Sequence, residues 1–200
     1  MADRSENVTW HAHAVTRERR AGASLGATGA TVWITGLPAS GKSTIAAALE
    51  AALLESGRAA YLLDGDNLRH GLNGDLGFDA AARRENVRRA AEVARLFADA
   101  GTVALVSLVS PYEADRAAAR KLHAEDGLRF VEVFVNTPLE ECERRDPKGL
   151  YARARAGELS GFTGVDDPYE APSSPEVELA PEVELGAAVD SVLGALNAGG

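Results

Sequence analysis

The 200-residue chain has little cysteine, little lysine and no long apolar run. Its single cysteine, Cys142, can form neither an internal disulfide nor a zinc site built from several cysteines. No unbroken apolar run approaches the ~20 residues that a membrane helix needs, and the first residues lack the apolar core of a signal peptide. We therefore expect a cytoplasmic protein with one compact domain.

Basic residues are absent from 156–200, which holds nine acidic residues. Residues 1–155 contain 21 acidic and 21 basic residues, so the formal net charge of -9 belongs to the last segment. The overall acidic charge argues against a nucleic-acid or polybasic membrane partner. One stretch, 69–95, is locally positive, with six arginines against four acids. It is either an anion-binding surface or a solvated helix face with ion pairs, to which we assign Arg84, Arg89 and Arg95.

Strand and helix patterns alternate along the chain. Strands are predicted near 31–35, 58–63, 102–109, 128–135 and 176–179, and helices near 43–56, 80–100, 113–124, 139–145, 150–156 and 186–196. The alternation predicts a three-layer α/β domain with a mostly parallel five-stranded sheet. We assign 1–28 to an N-terminal arm and 29–198 to the domain, with a mobile lid at about 146–175.

One motif indicates a phosphate site. Residues 36–43 fit GxxxxGK[ST] between a predicted strand and a predicted helix. The glycines let backbone N–H groups surround a polyphosphate, Lys42 reaches its outer phosphates, and the Ser43 hydroxyl can bind magnesium. The alternative is a glycine-rich turn with an exposed lysine, although one of only three lysines stands here. The predicted nucleotide-binding residues are Gly36, Leu37, Pro38, Ala39, Ser40, Gly41, Lys42, Ser43 and Thr44.

Two carboxylates follow the second predicted strand. Asp64 and Asp66 are expected at the carboxyl edge of the sheet, where ligands of open α/β folds bind. A carboxylate there can support magnesium or accept a proton from an attacking hydroxyl. The alternative is that 64–67 form a turn and helix cap. Arg69 and the arginines of 83–89 can supply planar donors to an anionic acceptor.

Taken together, the motifs resemble those of the adenylylsulfate kinase family. They read GLPASGKST (36–44), DGDNLRHGL (64–72), LGF (76–78), RRENVRR (83–89), SLVSPYEADR (107–116), DPKGLYARARAGEL (146–159) and GFTGVDDPYEAP (161–172). Their order and spacing agree with the family from about residue 7 to about residue 179. The resemblance implies a P-loop kinase fold and transfer of the γ-phosphoryl group of ATP, with Mg²⁺, to the 3′-hydroxyl of adenosine 5′-phosphosulfate.

The resemblance also implies roles for individual residues. Ser43 and Asp64 would support magnesium, Asp66 would be the base or orienter of the hydroxyl, and Arg145 would contact ATP. The implied catalytic residues are Lys42, Asp64, Asp66 and Ser110. Phe78 and Phe162 would enclose the adenine. The implied acceptor contacts are Asp66, Arg69, Phe78, Arg83, Asn86, Val109, Ser110, Lys148, Leu150 and Phe162.

Ser110 has two interpretations within the resemblance, and we favour an acceptor-site role with direct transfer over a phosphorylated intermediate. The resemblance further implies a homodimer and suggests ATP sulfurylase as a functional partner. Two other functions stay open. A gluconate- or shikimate-type kinase would have no use for the two phenylalanines, and a nucleotide-sensing module would not need the intact phosphate loop and aspartate pair.

Some residues are expected to be structural. Trp33 lies in the first predicted strand and is assigned to the core, and Cys142 is assigned to helix packing. The four histidines have no carboxylate or cysteine partner at ligand spacing, so we expect no histidine metal site.

Overall fold

The computed structural model describes residues 15–23 and 29–198, without the side chains of 21–23. Predictions for 1–14 and 24–28 lie outside the described residues. Helix α1 (Arg17–Ala23) belongs to the predicted arm. Arg17 and Arg20 both pair with Asp99, at 2.9 and 2.6 Å, and so attach α1 to the following domain. The boundary at residue 28 stays a prediction.

Five parallel strands form one sheet in the described part of the chain. They are β1 (Ala30–Thr35), β2 (Ala60–Asp64), β3 (Val103–Ser107), β4 (Arg129–Val135) and β5 (Val177–Leu179). Their order is β2-β3-β1-β4-β5. The central strands β1 and β3 are entirely buried because helices cover both faces, which explains their near-continuous apolar sequence. The predicted five-stranded α/β fold is confirmed.

Within the described residues there are seven further helices: α2 (Lys42–Glu55), α3 (Gly65–Leu68), α4 (Ala80–Asp99), α5 (Glu113–Glu125), α6 (Leu139–Arg145), α7 (Leu150–Arg155) and α8 (Leu185–Asn197). One apolar core lies between α2, α8 and the sheet, and a second lies between α4, α5 and the opposite face. Successive residues of β1 alternate between them, since Val32 and Ile34 belong to the first and Trp33 to the second. The three predicted layers are thereby present.

The end of β2 differs from the sequence prediction. Asp64 is the last residue of the strand, and the short helix α3 follows at once. The Asp64 carboxylate caps this helix by accepting a hydrogen bond from the Asp66 backbone N–H at 3.0 Å. Because only one of its oxygens is used for the cap, the capping interpretation and a role in binding are compatible.

Candidate active site

The phosphate loop joins β1 to α2 as predicted. Its glycines at 36 and 41 have φ values of +153° and +106°. A Cβ atom on Gly36 would lie 2.7 Å from the Val135 carbonyl oxygen, so the loop cannot take this path with a larger residue. This path leads directly into the N-terminus of α2, where backbone N–H groups and the helix dipole favour an anion.

Lys42, the first residue of α2, is buried, with 8% of its surface exposed. Its Nζ atom donates to the Leu37 carbonyl at 2.6 Å and lies 3.4 Å from the Ser40 hydroxyl. Burial lowers the pKa of Lys42 to about 8, although nearby carboxylates favour the charged form. The Lys42 amine is thus buried inside the loop, where its charged form is less favoured than in water. A bound polyphosphate would stabilise that charged form.

Three side-chain oxygens meet beside the loop. The Ser43 hydroxyl donates to Asp64 Oδ2 at 2.7 Å, and the Ser107 hydroxyl lies 3.3 Å from that of Ser43. Hydroxyl and carboxylate oxygens are ligands of Mg²⁺, which binds through one or two carboxylates and substrate phosphates. Within 15–23 and 29–198 no group of three or more His, Cys, Asp or Glu residues could hold a metal. The Ser43 and Asp64 oxygens are ligands of the kind that a magnesium ion would use if a nucleotide supplied the rest.

Ser107 was missed by the sequence analysis. It is the last residue of β3 and pairs in register with Asp64, so adjacent strand ends bring both side chains to one place. The predicted strand ran to residue 109 and concealed this edge position. The signal was the polar residue that interrupts an apolar run, TVALVSLV.

The end of α6 and the segment predicted as a lid, 146–175, both contact the phosphate loop. Arg145 bonds to the Ser40 carbonyl at 3.3 Å and to Glu141 at 2.7 Å. The hydroxyl of Tyr151 donates to the Pro38 carbonyl at 3.0 Å, so α7 is also attached to the loop. Arg145 therefore lies beside the phosphate loop, and its contact with a nucleotide stays a prediction.

Two further lid residues approach the sheet edge or the start of α7. The ammonium group of Lys148 forms an ion pair with the carboxylate of Asp66, which joins the lid to α3. The Leu150 N–H donates to Asp146 Oδ1 at 2.8 Å and starts α7. Lys148 and Asp66, both predicted site residues, are thus in direct contact.

A cavity of about 400 Å³ lies between the start of α4 and the lid. Phe78 and Arg83 line it from one side, and residues 160, 161 and 167 line it from the other. Phe78 is 67% exposed, and the Arg69 guanidinium lies 4.1 Å from the centre of its ring. Phe162 follows the lining residue Gly161, and its ring packs edge-on against Tyr151 at 5.0 Å. An exposed aromatic surface beside arginines is suited to a purine with an attached anion.

Lid residues accept hydrogen bonds from the guanidinium of Arg83. This side chain forms a 2.9 Å ion pair with Asp167 and also bonds to the Thr163 hydroxyl and the Gly161 carbonyl. Its Nε atom donates to the Phe78 carbonyl at 2.8 Å. Arg83 therefore joins α4 to the lid at the wall of the cavity.

Asn86 lies one turn after Arg83 on α4 and is 7% exposed. Its Oδ1 atom accepts from Asn73 Nδ2 at 2.9 Å, which leaves the Asn86 NH₂ group as a donor. Asn73 has no exposed surface, and the sequence analysis gave it no role.

The loop after β3 carries Ser110 in a left-handed conformation, with φ +39°. Its hydroxyl accepts from the Trp33 indole N–H at 3.1 Å, and the residue is 3% exposed. The preceding Val109 carbonyl accepts from the Thr35 hydroxyl at 2.7 Å. Trp33 is fully buried as predicted, but it is also a hydrogen-bond donor to this loop. The hydrogen bond from the Trp33 indole to the buried Ser110 hydroxyl is thus suited to fixing the orientation of the loop after β3.

Two of the three α4 arginines that we assigned to a solvated face are only partly exposed. Arg89 pairs with Asp75 and Glu85, and Arg95 pairs with Glu92 and Asp126. The predicted ion pairs are present, yet these two side chains are only 26% and 21% exposed. Arg84 is exposed, as a solvated face predicts, and its guanidinium lies 5.5 Å from the centre of the Tyr112 ring.

Other residues that we assigned to structure are packed. Cys142 and His123 have no exposed surface. His123 bonds to the Thr31 hydroxyl and to the Ala119 carbonyl, both at 2.8 Å. The helices of the described residues include none long and apolar enough to cross a membrane.

Comparisons with known proteins identify the family of this chain. The adenylylsulphate kinase family model matches residues 28–180. An adenylyl-sulfate kinase of Citrobacter koseri is 60% identical over 179 residues, covering 90% of this chain and 88% of the relative. That of Saccharomyces cerevisiae is 54% identical over 173 residues, covering 86% and 85%.

Solved structures give the same result. The Mycobacterium tuberculosis APS kinase CysC in complex with AMPPNP and APS has a TM-score of 0.84 and 54% identity, covering 86% of this chain and 99% of that one. A gluconokinase from Sinorhizobium meliloti, 16% identical with a TM-score of 0.55 and covering 84% and 91%, shares only the fold. Because the family model and these relatives span most of the sequence, the chain belongs to the adenylylsulphate kinase family.

Proposed function

We propose that the phosphate loop, the ends of β2 and β3 and the covering lid form the site where this kinase acts. The reaction transfers the γ-phosphoryl group of ATP to the 3′-hydroxyl of adenosine 5′-phosphosulfate, giving 3′-phosphoadenosine 5′-phosphosulfate and ADP. The observation that carries the proposal is the convergence of Lys42, the Ser43–Asp64 pair and Asp66 beneath the lid. Phosphoryl transfer needs such positioned charges more than covalent chemistry.

The nucleotide side of the site uses residues of the loop and the lid. Lys42 would exchange its bond to the Leu37 carbonyl for a phosphate oxygen, and Arg145 would approach from above. Ser43 and Asp64 would hold magnesium, which neutralises polyphosphate charge when bound. Closure of the lid excludes water, which would otherwise accept the phosphoryl group.

Asp66 is our choice for the residue that accepts or orients the hydroxyl proton. Both oxygens of Asp64 already have partners, the Asp66 N–H and the Ser43 hydroxyl. Asp66 is exposed, and its carboxylate is oriented by Lys148. A carboxylate that is held but accessible fits a general base.

For the acceptor side of the site we propose the residues that the sequence predicts. The cavity beside Phe78 and residues 160 and 161 would receive the adenine, with Phe162 next to it in the chain, and nearby arginines would receive the phosphosulfate. Arg83 would bind the acceptor only if it gave up its bonds to Asp167 and to the Gly161 carbonyl. The proposed acceptor contacts are Arg69, Phe78, Arg83, Asn86, Val109, Ser110, Lys148, Leu150 and Phe162.

The test is ADP release with a panel of acceptors and an Asp66→Asn variant. Wild type should respond to adenosine phosphosulfate and not to gluconate or shikimate. Asp66→Asn should lower kcat about a hundredfold or more with little change in the KM for ATP. Asp190→Asn, an exposed change on α8, is the matched control. Full activity of Asp66→Asn would remove Asp66 from the mechanism, and no turnover with adenosine phosphosulfate would contradict the reaction.

The partners and location are also proposals. A homodimer fits the resemblance, whereas one solved relative, from Thiobacillus denitrificans, is described as a hexameric APS kinase. The bifunctional enzyme CysN/CysC of Mycobacterium tuberculosis is 51% identical over 193 residues, 31% of its length. This fusion supports a second enzyme as a functional partner, and ATP sulfurylase stays the partner that the resemblance suggests. A cytoplasmic location stays a prediction from the sequence.

A further inference from the structure

The end of the lid is attached to the loop that carries Ser110. The Glu170 N–H donates to the Pro111 carbonyl at 2.8 Å, and the Glu113 N–H donates to Glu170 Oε2 at 2.6 Å. The lid and the segment after β3 therefore share one backbone–backbone hydrogen bond and one bond from a backbone N–H to a side-chain carboxylate, although they are about 60 residues apart in the chain.

A second contact links the lid to the residue that precedes Ser110. The hydroxyl of Tyr169 lies 3.0 Å from that of Thr35, which donates to the Val109 carbonyl. The Tyr169 ring also packs beneath the Arg116 guanidinium, 5.9 Å from its centre. Glu170 thus contacts the loop directly after Ser110, and Tyr169 is linked through Thr35 of β1 to Val109, the residue before Ser110.

Arg116 of α5 connects the two segments directly. It is 2% exposed, and two of its nitrogens donate to the carbonyls of Ser110 and Glu170, each at 2.7 Å. Its Nε atom donates to Glu132 Oε1 at 2.8 Å. Hydrogen bonds from a guanidinium are short and strong, and its planar fork fixes the positions of the groups it binds.

The Ser110 backbone needs such support. A non-glycine residue at φ +39° persists only where its surroundings hold it. Trp33 holds the hydroxyl, and Arg116 holds the carbonyl. A buried ion pair such as Arg116–Glu132 is weak evidence for stability alone, because desolvation offsets much of its attraction. Its two additional carbonyl contacts indicate a positioning role.

We propose that Arg116 is a positioning residue that couples closure of the lid to the backbone geometry of Ser110. When the lid moves away, the Glu170 carbonyl leaves Arg116, and the Ser110 loop loses part of its support. The acceptor site is then complete only when the lid is closed. This inference rests on the acceptor site proposed above.

The experiment compares Arg116→Met and Arg116→Lys with the matched control Arg120→Met. Arg120 lies one turn further along α5 and pairs with Glu132 and Glu176, but its hydrogen bonds involve neither of the two carbonyls. Arg116→Met should raise the KM for adenosine phosphosulfate about tenfold or more and leave the KM for ATP within about twofold. Lysine can reach one carbonyl but not both, so Arg116→Lys should give a smaller change. Arg120→Met should behave like wild type.

Hydrogen exchange supplies a readout that a merely structural role would not move. In Arg116→Met, peptides covering 165–172 should lose protection from exchange. The hydrogen bond from the Glu170 N–H to Pro111 lies beside the two carbonyls that Arg116 holds, so it should open more often without Arg116. Peptides from β1 and β3 should keep theirs. Equal loss of protection in lid and core, or unchanged lid protection, would overturn the coupling.

The two proposals can fail separately. If Ser110→Ala leaves the KM for adenosine phosphosulfate unchanged, Ser110 is outside the acceptor site and the proposed site is wrong. If Ser110→Ala raises this KM and Arg116→Met does not, the coupling is wrong. Should Arg116→Met fail to fold, Arg116→Lys decides by the same criterion, with lid exchange as the second measurement.

Discussion

The hydroxyl of Ser43 donates to Asp64 Oδ2 at 2.7 Å and joins the first turn of α2 to the end of β2. The two residues are 21 positions apart, and the parallel sheet brings them together because both elements meet at the carboxyl edge of the strands. The contact shows how the phosphate loop and the aspartate motif, separate in sequence, become one oxygen cluster.

Ser43 should be needed for its hydroxyl and not for its shape. Ser43→Ala should lower kcat/KM about a hundredfold or more, on the order of 3 kcal/mol, and raise the magnesium concentration that gives half-maximal rate. Ser43→Thr keeps the hydroxyl and should retain most activity. Magnesium titrations of the initial rate measure both variants. Equal titration curves for Ser43→Ala and wild type would remove Ser43 from the magnesium site.

Lys42 should take up a proton when nucleotide binds near pH 8. Burial lowers its pKa to about 8 from an ordinary value of 10.5, so about half of the side chains are neutral at that pH. Phosphate charge favours the ammonium form and raises the pKa, so binding adds about half a proton. Calorimetry of ADP binding in buffers of different ionisation enthalpy measures this uptake.

The matched control is Lys42→Arg, which stays protonated and should bind ADP without this uptake.

The lowered pKa of Lys42 also affects the stability of the protein without nucleotide. The charged form is disfavoured in the fold, so its cost is present below pH 8 and is relieved as pH rises from about 8 to about 10.5. Lys42→Met should therefore be more stable than wild type at pH 7, by on the order of 2 kcal/mol. An unchanged melting temperature would contradict the burial argument.

Much of the fold followed from the sequence because its strands and helices have strong periodicity. The buried runs TVWIT and TVALVSLV predicted β1 and β3, and glycines marked several helix ends. The short helix α3 was missed, since four residues are too few to produce a periodic pattern. The sequence also predicted which site residues meet at the sheet edge, but not their partners, because partners depend on register and on the path of the lid.

Trp33 illustrates this limit. Its position in an apolar strand predicted a core residue, and only the structure reveals the donor bond to Ser110. Trp33→Phe keeps most of the buried ring and removes this donor, so the KM for adenosine phosphosulfate should rise about fivefold. Steady-state kinetics with each substrate varied in turn measures the effect. The KM for ATP is the internal control, and a parallel rise in both constants would point to general loosening of the core.

Gly164 should connect the lid to the phosphate loop through close packing. A Cβ atom there would lie 3.1 Å from Leu37 and 3.2 Å from Leu139, and φ is +92°. Gly164→Ala should therefore displace the lid from the loop and raise the KM for ATP about tenfold, as expected for overpacking of 1–3 kcal/mol.

The matched control for this change is Gly157→Ala, at φ +76° with no atom within 4 Å of the added Cβ. Both variants carry the backbone strain of an alanine at positive φ, but only Gly164→Ala adds a contact with the phosphate loop. The difference between their KM values for ATP isolates that contact. If the two variants raise this KM equally, the effect comes from backbone strain, and close packing of Gly164 on Leu37 does not position the lid over the nucleotide.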